Sequence, residues 1–440
     1  MPKPLENTNN FVYQNFEIQN STLYCNYSLG EYKFSEKIVI EGDWSQPQAY
    51  EAARLIFLLA GISYYKSFAP KIIDLGATPV RPGEVEFLLS YYKGGLGEFS
   101  YKNDLSLSNL EIIGGSEAEP AVQYPIPEIQ APLIPFGGGI DSIVTVELVR
   151  KTFPEAQLFV MSPGDTKFEA LEAAASVTGL EIVRAQRFLD PQILKSSQNG
   201  FLNGHVPVTG ILSAIALTAA ILHGKTAVLM SNERSASEGN LVYDGSMINH
   251  QYSKSLEFED LFRSVLKNSF GQSPDWFSYL RHKNELWIAE KFASFTKYHD
   301  VFRSCNRAFH INEADRAKTW CGECDKCCFI DLILSPFISH ESLSSMFSGK
   351  EPLDNIKLKE VFISLISTDE AFNKPFECVG DISECKEAIK MASKRSDRTG
   401  NPLLVSLLEA VESEDIKQSE DTNEFSHNIS ESYATSDILD

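Results

Sequence analysis

"PFGGGIDSIV", residues 135–144, is where the fold is decided. It follows an apolar, strand-like run (Leu133–Phe136) and leads into a segment of helical spacing over residues 142–151. Three consecutive glycines between a strand and a helix permit positive φ and close approach of a ligand to the backbone. Exposed N–H groups at the start of a helix form a nest for an anion. Gly137, Gly138 and Gly139 therefore read as a phosphate cradle, with Asp141 and Ser142 placed to cap the helix or to hold Mg²⁺ and a phosphate oxygen. The plain alternative is a glycine turn that only starts a helix.

Working outward, apolar runs at Leu158–Ser162, Leu180–Ala185 and Thr226–Met230 alternate with helical segments at 166–178 and 206–223. That alternation predicts βαβ units in an α/β fold, with a parallel sheet covered on both faces. Ligands of such sheets bind at the carboxyl ends of the strands. "SNERSASEGN" (231–240) also follows a strand, so Ser231, Asn232 and Glu233 should share one crevice with the glycines, near Ser162 at the end of its own strand. Two familiar phosphate loops are excluded. Gly224-Lys225-Thr226 lacks the glycine five residues earlier (position 219 is Ala) and runs from helix to strand; no G-x-G-x-x-G follows the first strand.

Upstream, residues 11–42 alternate as hairpin strands do, with a turn at Gly30-Glu31, and 47–60 has helical spacing behind Pro47. A proline-rich stretch near 125 marks a boundary. The expected organisation is an α+β domain (1–125), a nucleotide-binding domain (126–345), a helical extension (346–410) and an acidic tail (411–440). The tail carries nine Asp/Glu against Lys417 alone and reads as disordered and solvated. The net charge of −21 over 440 residues argues against a binder of nucleic-acid backbone. No export signal is visible, and the longest apolar stretch, Ile211–Leu222, is too short to span a bilayer, so a cytoplasmic protein with no membrane partner is expected.

Eight cysteines suggest metal or redox chemistry before disulfides. "TWCGECDKCCF" places Cys321, Cys324 and Cys327 at C-x₂-C-x₂-C spacing, with Cys305 upstream in "FRSCNR". Four thiolates suit a closed, structural Zn²⁺ site; redox thiols or an iron–sulfur cluster are compatible with the same set. Cys328 reads as a buried small hydrophobe, and Cys25, Cys378 and Cys385 as core or surface residues without a pattern.

The strand–GGG-x-DS–helix unit resembles the PP-loop of the ATP pyrophosphatase superfamily, with Gly137 in place of the usual first Ser. The cysteine set is similar to the zinc site of 7-cyano-7-deazaguanine synthase. The ordered series "AGISYYKS" (60–67), "KGGLGEFSYKN" (93–103), "FGGGIDS", "SNERSASEGN", "NHQYSKS" (249–255), "SCNR" and "WCGECDKCCF" resembles the MurL family of UDP-N-acetylmuramoyl-L-alanyl-L-glutamate epimerases, over most of residues 10–400. The resemblance implies ATP and Mg²⁺ as reactants and cofactor, the UDP-muramoyl dipeptide as substrate, and an acyl-adenylate of the terminal glutamate whose Cα–H is acidic enough to exchange.

For that chemistry Asp141 or Glu233 could hold Mg²⁺, and Glu233 could instead be a base. His250 is suited to proton transfer, and Lys254 could clamp a phosphate or carboxylate. Tyr64, Tyr65 and Lys66, with Lys93 and the Gly94–Gly97 turn, could shape the substrate site, and Arg303 and Arg307 could hold the acidic nucleotide sugar. Core packing and solvated charge are the plainer readings of these residues. The competing functions are another PP-loop adenylating enzyme (amidation, thiolation or nitrile formation) and a non-catalytic nucleotide-binding zinc protein.

Overall fold

The computed structural model describes residues 10–310, 312–367, 374–414 and 429–439. Its centre is a ten-stranded sheet. Strands β1 (Asn10–Gln19), β2 (Thr22–Leu29) and β3 (Tyr32–Ile40) form an antiparallel meander, with Gly30 at φ 58° in the anticipated β2–β3 turn. β4 (Ile72–Asp74) and β5 (Glu111–Ile113) extend it in parallel. The second half holds β6 (Pro132–Pro135), β7 (Gln157–Pro163), β8 (Ile182–Phe188), β9 (Ala227–Met230) and β10 (Asp275–Ser278), all parallel. The spatial order is β10-β9-β6-β7-β8-β3-β2-β1-β4-β5.

The boundary anticipated near residue 125 is thus no break in the sheet. β8 pairs antiparallel with β3, Ala185 opposite Ile40. The join is fixed by an ion pair: Arg187 Nε donates to Glu36 Oε1 at 2.7 Å and Nη2 to Oε2 at 3.1 Å, with Glu36 wholly buried. Two carboxylate oxygens meeting the planar guanidinium fork satisfy both charges where water cannot reach.

Helix α1 (Pro47–Ala60) begins at a proline, whose missing N–H costs nothing in a first turn, and packs on the helix Val208–Leu222. That second helix is buried on nearly all sides, which explains its apolar run without a membrane; no described helix is long and apolar enough to cross one. The other helices used below are α2 (Ile140–Thr152), α3 (Glu169–Thr178), α4 (Val208–Leu222, just named), α5 (Leu256–Ser269), α6 (Glu285–Ala293), α7 (Asp325–Leu334), α8 (Ile382–Ser393) and α9 (Pro402–Glu414). α2, α6, α7, α8 and α9 enclose a second hydrophobic core against β6, β7, β9 and β10.

The expected solvated tail needs correction. Its start is part of α9, where Val411 is fully buried, and residues 429–439 return to the core. Ile429, Tyr433 and Ile438 are buried there; the Tyr433 hydroxyl lies 2.6 Å from Thr226 Oγ1 and its ring packs against Phe153. Apolar side chains spaced among the acidic ones supply a docking face that net charge conceals. Residues 415–428, including Lys417, lie outside the described residues.

Candidate active site

β6 lies at the switch point of the parallel half: the chain steps from it to β7 and β8 on one side and later to β9 and β10 on the other. The crevice over the carboxyl ends of β6 and β9 is where such a sheet presents a ligand site. The glycine loop follows β6. Gly138 has φ 77°, and a Cβ there would stand 3.3 Å from Leu171 Cα, so both backbone and neighbour demand glycine. Gly139 precedes the first turn of α2, where Ser142 Oγ donates to the Gly139 carbonyl at 3.0 Å. Beyond β9, Asn232 is pinned by donating to Ser278 Oγ at 2.9 Å, and Arg281 donates to the Glu233 carbonyl at 2.9 Å.

These loops enclose a cavity of about 400 Å³. Gly137, Gly139, Asp141, Ser142, Ser231, Asn232, Glu233, Lys254 and Arg303 all reach its wall, which brings the glycine stretch and the 231–240 segment into one crevice; Gly138 is not on the wall. Ser162 is buried nearby but is not on the wall. Glu285, the first residue of α6, joins Asp141 and Glu233, so that three carboxylates bring oxygens within 4.8 Å of one another. Asp141 Oδ1, Glu285 Oε2 and Ser231 Oγ are buried without a hydrogen-bond partner. Burial and the charge of Glu233 push Asp141 up to about 7, against Lys326 and Lys254. Burial, Asp141 and Glu233 drive Glu285 well above the usual carboxylate range. Crowded oxygens with unsatisfied lone pairs fit a hard dication, which prefers carboxylate and water ligands.

Opposite charge comes from two lysines. Lys254, just before α5, is held by Gln251 Oε1 at 3.1 Å and reaches Cys378 Sγ at 3.1 Å. Lys326 donates to the Cys378 carbonyl. Cys378 itself lines the cavity. Burial alone would raise its thiol, but Lys254, a hydrogen bond from His250 and Lys326 outweigh burial and hold it at about 6. His250 is off the cavity wall, behind Cys378, with its Nδ1 2.5 Å from Glu98 Oε2. Burial would lower His250, yet Cys378 and Glu98 bring it up to about 9.

Cys305, Cys321, Cys324 and Cys327 converge, with Sγ–Sγ separations of 3.5 Å (Cys321–Cys327) and 3.4 Å (Cys324–Cys327). Thiol donors from Cys324 and Cys327 hold Cys305 far below the usual thiol range as the thiolate. Sulfurs bound to one tetrahedral ion at about 2.3 Å would have a similar spacing. Cys328 points elsewhere and is fully buried in the core.

Four sequence candidates are corrected. Tyr65 is wholly buried, its hydroxyl on the Pro70 carbonyl and its ring against Tyr92, so it is core. Lys66 donates to Asn203 Oδ1 and the Gly204 carbonyl, both at 2.9 Å, and does not reach the cavity. Arg307 is exposed beside Glu323 and does not line the cavity, although its neighbours Asn306 and Phe309 do. Tyr64 is core as well, whereas Lys93, Gly94 and Gly97 line a different cavity of about 470 Å³. Sequence reading missed Glu285 and Cys378. An acidic residue heading a helix soon after a strand was a signal for Glu285; the isolated Cys378 offered none.

Residues 3–279 match the MurL N-terminal domain and residues 301–422 the MurL C-terminal domain, so that family's own division falls just past β10. Three relatives are named UDP-N-acetyl-alpha-D-muramoyl-L-alanyl-L-glutamate epimerase. That of Salinispora tropica is 36% identical over 91% of this chain and 88% of its own length. That of Micromonospora sp. is 34% identical over 91% and 90%, and that of Xanthomonas oryzae pv. oryzae 34% identical over 79% and 75%.

Proposed function

The chain belongs to the MurL family, and from that premise we propose that it inverts Cα of the terminal glutamate of UDP-N-acetylmuramoyl-L-alanyl-L-glutamate, using ATP to activate the α-carboxylate. The observation that carries the ATP requirement is the glycine loop at the switch point, facing the unpartnered oxygens of Asp141 and Glu285 beside Glu233.

A free carboxylate makes its own α-proton hard to remove, because the carbanion would sit beside an existing negative charge. Activation removes that obstacle. A carboxylate oxygen attacks the α-phosphorus, the P–O bond to the leaving group breaks, and pyrophosphate departs. The loop N–H groups at Gly137–Gly139 receive the departing phosphates in a position prepared for negative charge. Asp141, Glu233 and Glu285 would hold Mg²⁺, which supplies charge neutralisation at the phosphates. Lys254 and Arg303 stand on the same wall, ready to stabilise the enolate oxygen that appears when the acyl-adenylate loses its α-proton. Reprotonation from the other face and hydrolysis release the D-glutamyl product and AMP. The four convergent cysteines would hold a structural Zn²⁺; Arg303, Ser304, Asn306 and Lys326 flank those ligands in sequence and line the cavity, so the cysteine site would brace its wall.

The test is incubation of purified protein with ATP, Mg²⁺ and the L-glutamyl substrate, followed by chiral analysis of the glutamate and quantitation of AMP. D-Glutamate formed in step with AMP and pyrophosphate, and lost in Asp141→Ala, is expected. AMP without D-glutamate would redirect the assignment to an adenylating transferase. Absence of both products would refute the reading.

A further inference from the structure

We propose that Cys378 is a catalytic residue: its sulfur moves the glutamate α-proton on one face of the activated substrate. The proposal rests on the epimerase reading above and names a proton-transfer group for it. Four observations of the structure support it. Cys378 lines the cavity that also holds the glycine loop and the carboxylates, in reach of a bound substrate. Glu285, only 3% exposed with Oε2 unpartnered, faces the same space and marks it as built for a ligand. Lys254 Nζ is 3.1 Å from Sγ and also interacts with the charges of Glu233 and Asp141, so one ammonium links the thiol to the carboxylate cluster. Behind the sulfur, His250 and Glu98 form a hydrogen-bonded pair leading away from the cavity, with His205 3.8 Å from the same carboxylate.

The charged groups around Sγ explain why a sulfur here is a base. Lys254, His250 and Lys326 are cationic and close, Asp141 opposes them from across the cavity, and the thiol is held at about 6, so the thiolate predominates at neutral pH. Low-pKa thiolates next to lysine or imidazolium are the reactive ones. In the step proposed, the Cα–H bond breaks, its electron pair enters the enolate of the acyl-adenylate, and an S–H bond forms. A new Cα–H bond forms on the opposite face with a proton that comes from water. The Sγ proton then leaves to water in the cavity, and His250, which keeps its own proton against Glu98, again donates to the thiolate. Nothing is oxidised or reduced.

The experiment compares wild type, Cys378→Ser and Cys378→Ala in D₂O with ATP, Mg²⁺ and the L-glutamyl dipeptide substrate. Two rates are read: deuterium entry at glutamate Cα, and ATP–pyrophosphate exchange, which reports the adenylation half-reaction alone. Positioned general bases contribute about 10²–10⁴-fold, so deuterium entry should fall at least about 100-fold further than pyrophosphate exchange. Equal losses in both rates, or undiminished deuterium entry, would overturn the assignment of Cys378. If wild type neither adenylates nor incorporates deuterium, it is the epimerase reading that fails. Should both variants fail to fold, wild type is treated with methyl methanethiosulfonate and the modified cysteines are mapped. Deuterium entry that survives full modification of Cys378 overturns the proposal; loss prevented by substrate and restored by dithiothreitol supports it.

Discussion

Alanine substitutions at Gly137 and Gly138 separate what the loop does for the fold from what it does for a ligand. At Gly138 an alanine would have to keep φ 77°, a left-handed conformation that costs an L-residue about 1–2 kcal/mol. Its Cβ would also sit 3.3 Å from the Leu171 backbone on α3, which cannot swing aside as a side chain can. The stiffer unfolded chain returns about 0.4–1 kcal/mol. The expected net loss is about 1 kcal/mol, read as a lower urea midpoint of the ligand-free protein. At Gly137 the φ is ordinary and no heavy atom stands within 4 Å of the added Cβ, so stability should be unchanged or slightly higher. Yet Gly137 faces the cavity, and a methyl there would hold a phosphate away from the loop N–H groups. Loss of one charge-assisted hydrogen bond, about 1.5–3 kcal/mol, corresponds to at least a tenfold rise in KM for ATP or a matching fall in kcat. The assays are urea unfolding and initial rates of AMP release against ATP concentration. Gly137→Ala with wild-type kinetics would refute the claim that the loop backbone meets the phosphates.

Glu285→Gln keeps the shape of the carboxylate cluster but removes one metal-binding charge; AMP formation should fall at least about 100-fold while circular dichroism is unchanged, and a fall of less than about threefold would remove Glu285 from the site. Cys324→Ser should reduce bound zinc, measured by plasma emission, from about one per chain to near zero and lower the midpoint of thermal unfolding. His205 is lowered to about 4 by burial and by His250, so stability declines as pH falls from 6.5 towards 4. Between pH 6.5 and 9 the stability that His250, raised to about 9, loses is offset by what Cys378, held at about 6, gains, so no alkaline limb is expected from this pair. Urea midpoints should fall from pH 6.5 to pH 4.5, with His205→Gln flattening that fall. Arg187→Met strands the Glu36 carboxylate in the interior and should cost about 3–5 kcal/mol in unfolding free energy, whereas Arg187→Met with Glu36→Leu should recover most of it.

Much of the parallel half was legible because its signals are local. A buried strand such as Ala227–Met230 is a short apolar run, and α4 is a longer one, so length and glycine punctuation distinguish them. The glycine loop is similarly self-contained, since its conformation and its chemistry come from neighbouring residues. What escaped depends on distant pairs. The pairing of β8 with β3 is not encoded in either strand, each of which could serve as an edge; it becomes specific only when Arg187 meets Glu36. Glu285 and Cys378 gain their character from what faces them, two carboxylates in one case and three cations in the other. Tyr65 and Lys66 failed in the opposite sense: a motif that looks like a site is satisfied by its own surroundings.

The β3–β8 join has a consequence for biosynthesis. Glu36 and Arg187 are 151 positions apart. At about 5–20 residues per second, the N-terminal meander leaves the ribosome roughly eight to thirty seconds before its partner strand is made. During that interval the β3 edge, with its row of free N–H and C=O groups, is open to pairing with another nascent chain. Glu36 is then a guard as well as half of an ion pair: a carboxylate pointing inward from an open edge makes intermolecular zippering costly until Arg187 arrives to neutralise it.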